Sequence, residues 1–148
     1  MQIDEGLMET WKRSVLEIQR FCNWSTLWNG ERYFSDAVPK EVGGQDLYIV
    51  TAYNPGSDPL PEMENKSRDK QLFSRISSLG SAGSFVSVGR SLSGSHEEFG
   101  YAIYAVSKNE VDQLAKEFGQ IGYYRFTPSS MEIYALDEYG EFSRVLEI

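Results

Sequence analysis

The 148-residue chain has one cysteine, Cys22, and one histidine, His96. A lone cysteine forms no intramolecular disulfide, and one of each is too few for a Cys/His zinc site. This usage fits a reducing compartment, so a cytoplasmic protein is expected. Long apolar runs are missing as well. No stretch approaches the roughly 20 residues that span a bilayer, and the N-terminal "MQIDEGLMET" carries acids where a signal peptide needs bases. Basic residues are few: 14 Lys and Arg against 22 Asp and Glu leave a net charge of −8, which opposes binding to nucleic acid or an anionic membrane. There is no GxSxG elbow, no P-loop and no HExxH, nor any internal repeat or low-complexity tract, and no cofactor is expected.

Aromatic residues, by contrast, make up 14% of the chain, which argues for a packed fold rather than disorder. The length suits one domain spanning 1–148. Leu7, Trp11, Val15, Ile18 and Cys22 fall at three-to-four spacing and predict an amphipathic helix from Asp4 to Cys22. The next segment mixes aromatics with turn formers and reads as a loop, a short strand near Arg32 to Ala37 and a Gly43-Gly44 turn. These elements make up an N-terminal part, 1–45.

"DLYIVTAY" is almost continuously apolar, as a central strand covered on both faces would be. It ends abruptly at Asn54-Pro55-Gly56, and Asp58-Pro59 or Pro61 then opens a helix running to Gly80. "SFVSVGR" and "FGYAIYAV" predict two strands joined by the polar loop "SLSGSHEE". Ser107 and Glu110 form a capping box ahead of a helix that stops at Gly119. "IGYYRFT", "MEIYAL" and "FSRVLEI" predict a closing meander.

Over 46–127 the order of elements is therefore βαββαβ. The fold class expected is α+β, with a ferredoxin-like split βαβ core preceded by the amphipathic helix and followed by extra antiparallel strands at 128–148. Right-handed crossovers would bring the corner after the first strand, the hairpin loop and the end of the second helix to one end of the sheet. Asn54, Ser57, Asn65, Arg90, His96, Glu98 and Gln120 would then be neighbours.

"TAYNP", Asn65 and Arg68, Glu98 ahead of a strand, and "FGQ" at Phe118 to Gln120 resemble the small bacterial proteins catalogued as domain of unknown function 3293. The resemblance covers roughly Leu47 to Tyr124, and the family carries no established activity. Its pattern places an acid two positions before a serine at the start of the third strand. Here Glu98 fits and Gly100 replaces the serine, which puts any role of that hydroxyl in doubt.

The candidate ligand-binding residues are Asn54, Ser57, Asn65, Arg68, Arg90, Glu98 and Gln120. The Asn54–Ser57 corner could offer amides and a helix N-terminus to an anion, or be a plain turn and cap. Arg68 could meet a carboxylate or phosphate, or lie on a solvated face. Glu98 beside His96 is the one place where a carboxylate and a histidine could share acid–base work. A metal on His96, Glu97, Glu98 and Asn54 has no diagnostic spacing. The preferred reading is a noncatalytic binding module for a small polar ligand or a protein partner. A small hydrolase-like enzyme using Glu98 or His96, and an acidic inhibitor or immunity-type protein meeting a basic partner, are the alternatives.

Overall fold

The computed structural model describes residues 5–148. It is a mixed α/β fold of three helices and one eight-stranded antiparallel sheet. Helix α1 is Glu5–Arg13, followed by strands β1 (Val15–Arg20) and β2 (Asn23–Trp28). Strand β3 is Leu47–Thr51, α2 Glu62–Ser77, β4 Gly83–Arg90, β5 Glu97–Tyr104 and α3 Lys108–Glu117. Strands β6 (Gly122–Phe126), β7 (Met131–Leu136) and β8 (Phe142–Glu147) close the chain. The sheet order is β2-β1-β4-β5-β3-β6-β7-β8.

The N-terminal helix is shorter than its apolar spacing predicts, and its expected first residue, Asp4, lies outside the described residues. It ends at Arg13, and the Ser14 hydroxyl turns back onto the Thr10 carbonyl at 2.9 Å. "VLEIQR" then becomes a strand in which Leu16 and Ile18 are buried on alternate positions. The same apolar residues satisfy either period over so short a span; pairing with β2 and β4 on both sides decides for the strand. The predicted loop at 23–28 is β2, where Leu27 and Trp28 are fully buried. The strand expected near Arg32 to Ala37 is replaced by one isolated bridge, Trp28 to Tyr33, and a 3-10 turn at Ser35–Ala37. The sheet consequently has more strands than the sequence suggests, with β1 and β2 extending it past β4.

Downstream, the sequence pattern and the structure agree closely. The Ser107–Glu110 capping box opens α3, and the left-handed Gly43 and Gly44 make the expected turn. Helix α2 begins only at Glu62, after Pro61, and turns Leu72 and Ile76 inward while Phe73 is half-exposed.

Because a sheet's side chains alternate, β3 feeds two cores. Tyr48 and Val50 pack with Leu72 and Ile76 of α2 and Val111, Leu114 and Ala115 of α3 on one face. Leu47 and Ile49 pack on the other face with Leu16, Ile18 and Trp28, against which Met8 and Trp11 of α1 rest. Two hydrogen bonds fasten α1 there: Trp28 Nε1 donates to the Lys12 carbonyl and the Tyr124 hydroxyl to the Trp11 carbonyl, both at 2.7 Å. The indole of Trp11 stacks on Tyr124 with ring centroids 5.4 Å apart.

Candidate functional site

Between α1 and the sheet lies a cavity of about 280 Å³. Its floor follows from strand register. Ser87 and Gly89 of β4 face Gly100 and Glu98 of β5, and Thr51 of β3 lies across from Gly100, all on the α1 face. Small residues at 87, 89 and 100 leave room above the sheet that larger side chains would fill. Gly100 has a second reason to be glycine: a β-carbon there would stand 2.3 Å from the Val50 carbonyl oxygen. In this backbone a serine at position 100 has no space.

Asn54, Ser57, Arg90, His96, Glu98 and Gln120 all line this cavity. Three connections bring them together: the corner after β3, the β4–β5 hairpin, and the link from α3 to β6. The corner is left-handed at three of its four residues, with φ of 47° at Asn54, 64° at Gly56 and 66° at Ser57. Such a conformation persists only where its surroundings hold it. The Asn65 carboxamide does much of this. Its Oδ1 accepts the Asn54 N–H at 2.9 Å, and its Nδ2 donates to Asn54 Oδ1 at 2.8 Å. The Gly56 N–H reaches the Gly119 carbonyl at 2.8 Å and ties the corner to the end of α3.

Asn65 and Arg68 do not reach the cavity. Asn65 is 3% exposed and serves the corner. Arg68 donates from Nε to the Ala52 carbonyl at 2.7 Å and from Nη2 to the Phe118 carbonyl, so its guanidinium clamps α2 between β3 and α3. These carbonyls hold Nε and Nη2, the side-on pair of donors with which an arginine grips a carboxylate or phosphate. The anion-cradle reading of the corner meets a similar obstacle, since the N–H groups of Gly56 and Ser57 are bonded to Gly119 and Asn54. Glu62 and Glu64 in the first turn of α2 add negative charge where an anion would sit.

At the hairpin, Arg90 is held by two carboxylates, Glu17 of β1 and Glu97, the latter at 2.9 Å. Among the described residues Glu98 has a single ionic neighbour, the exposed His96, whose Nε2 stands 3.3 Å from Oε2. Burial pushes the Glu98 carboxyl above the ordinary glutamate range, and the His96 contact pulls only partly against it. Gln120, 7% exposed, donates from Nε2 to the carbonyls of Tyr53 at 3.0 Å and Phe118 at 3.2 Å. Its Oε1 acceptor has no partner among the described residues. The Ser87 hydroxyl, on a residue 1% exposed, is also unpartnered among them.

Sequence reasoning missed the wall formed by α1 and the residue after it, where Leu7, Thr10, Trp11 and Ser14 face the cavity, and it missed Ser87. Trp11 reads as an ordinary core residue of an amphipathic stripe. For Ser87 a signal exists: a strand pair whose one face carries Ser87, Gly89 and Gly100 leaves that face open to something other than side chains. Among the described residues no group of three or more His, Cys, Asp or Glu is placed to hold a metal ion, and no helix is long and apolar enough to cross a membrane.

No curated protein and no solved structure matches the chain. The span that does match a family runs from β3 past Gln120 and so contains the corner, the hairpin and the end of α3, but not the wall given by α1. Over residues 50–121 the chain matches the family model described as "Protein of unknown function (DUF3293)", the family its motifs resemble.

Proposed function

We propose that the protein is a binding module for a small molecule, held in the cavity between α1 and the sheet. One observation carries the reading: six polar residues separated by up to 66 positions in sequence, Asn54 to Gln120, line a single cavity of about 280 Å³. Ligand sites are concave, mostly apolar and furnished with a few convergent polar groups, and this cavity has that composition. An acidic inhibitor working through its outer surface would need no such cavity, so that alternative draws no support from it. The order β4-β5-β3-β6, with helices after β3 and β5, supports a ferredoxin-like core as the scaffold. The free Cys22 favours a cytoplasmic setting.

Thermal-shift screening with metabolite-sized compounds tests the reading. A ligand at about 100 times its Kd adds roughly 2.7 kcal/mol of stability. It should raise the Tm of the parent and not of Gly89→Val, whose side chain enters the cavity floor. Stabilisation that persists in Gly89→Val would place binding elsewhere and end the proposal.

A second reading has an observation of its own: the raised pKa of Glu98 with His96 at 3.3 Å, a pairing suited to moving a proton on a bound ligand. Under that reading Glu98→Gln retains binding and loses turnover.

A further inference from the structure

We propose that the cavity selects a compact amine, with a cationic ammonium head and an aromatic or short aliphatic body. The proposal rests on the small-ligand reading above and names the chemical class of that ligand. Three of the cavity's polar residues keep acceptor capacity in reserve. Among the described residues Glu98 has only the rim residue His96, Gln120 keeps its Oε1 unpartnered while both amide bonds hold carbonyls, and Ser87 presents a hydroxyl. Ser87 and Glu98 are diagonal neighbours across the β4–β5 ladder, close enough for one small head group to meet both. Two of these three residues, Gln120 and Ser87, are more than nine-tenths buried, and a donor-bearing ligand would give each acceptor a partner.

The cations that would attract an anion are already engaged. Arg90 lies between Glu17 and Glu97, and Arg68 is bonded to two carbonyls away from the cavity. The net charge of −8 biases approach in the same direction, toward cations. Much of the remaining wall is apolar. Trp11, Leu16, Ile49 and Ile121 face the cavity, and the volume of about 280 Å³ suits one ring with a short arm, not a nucleotide.

Three probes of one size and different heads separate the outcomes: phenethylamine, phenylacetamide and phenylacetate, titrated into isotope-labelled full-length protein and followed by amide and indole N–H chemical shifts. Phenethylamine should shift Ser87, Glu98, Gln120 and the Trp11 indole, and bind roughly tenfold more tightly than either other probe, the worth of one charge-assisted hydrogen bond. Glu98→Gln should abolish that preference, with Ser87→Ala weakening it. Phenylacetamide binding as well as the amine, or phenylacetate binding better, would overturn the ammonium head while leaving a small-molecule site in place. No shift at these residues with any probe overturns both the amine proposal and the reading on which it rests.

Discussion

Asn54 and Asn65 face each other through two hydrogen bonds, one at 2.9 Å to the Asn54 backbone and one at 2.8 Å to its side chain. Asn54 Oδ1 also accepts the Leu60 N–H at 3.0 Å, so this one pair fixes the corner, the approach to α2 and a wall of the cavity. Asn65→Ala leaves the Asn54 N–H and Oδ1 without these partners in a largely dry site. We expect a loss of roughly 2–3 kcal/mol in urea unfolding. Asn65→Asp keeps the acceptor but loses the donor and sets two oxygens face to face, so it should recover little of that loss. Stability of Asn65→Ala close to the parent's would show that the corner is held by other contacts.

Arg68 acts as a strut. Replacing it with Met removes both bonds from its guanidinium to the Ala52 and Phe118 carbonyls, at a cost of about 2 kcal/mol. Lys offers one ammonium in place of a two-edged fork and should rescue less than half. Because the partners are carbonyls rather than carboxylates, the loss should be nearly the same at low and high salt. A strong salt dependence in the unfolding of parent against variant would point to an ion pair instead.

Two glycines on the cavity floor should respond differently to the same substitution. A β-carbon at Gly100 meets the Val50 carbonyl oxygen at 2.3 Å, whereas one at Gly89 meets only the end of the Leu16 side chain at 3.4 Å. Gly100→Ala and Gly100→Ser should each cost about 1–3 kcal/mol, since β3 must move away from β5. Gly89→Ala should be close to neutral. Equal Tm values for the alanine variants would refute the close approach of β3 and β5.

For Glu98 the pH dependence has a definite sign. Burial raises its pKa in the folded state, so the folded protein holds this proton more tightly than the unfolded chain does. Its favourable contribution is complete below the ordinary glutamate pKa and is lost as pH rises through the raised value. Once ionised, the carboxylate is thus a net burden on the folded state. Glu98→Gln should raise the Tm at pH 7.5 and leave it close to the parent's at pH 4, as scanning calorimetry can measure. The reverse pattern would mean that the charged carboxylate is stabilised where it lies.

Much of the central region was legible because its signals are local. Ser107 and Glu110 cap α3 through bonds within one turn, Gly119 ends that helix, and the apolar run 47–51 can be satisfied only by cover on both faces. Given those elements, chain connectivity brought Asn54, Glu98 and Gln120 to one end. The role of Asn65 and Arg68 was not legible, since an exposed polar helix face and a buried strut have the same composition. Only the positions of Asn54, Ala52 and Phe118 around them distinguish the two.

The amino-acid sequence by itself determined the acidic charge, the α3 capping box, the polar corner and the alternation of helix and strand from residue 46 onward, each set by residues close along the chain. Tertiary structure alone decided that 15–20 is a strand, that α1 lies over the opposite face of the sheet from α2 and α3, and that Ser87 opens into a cavity. The physical reason is that a short apolar segment fits more than one periodicity, and only the partners that bury it, far away in sequence, select among them.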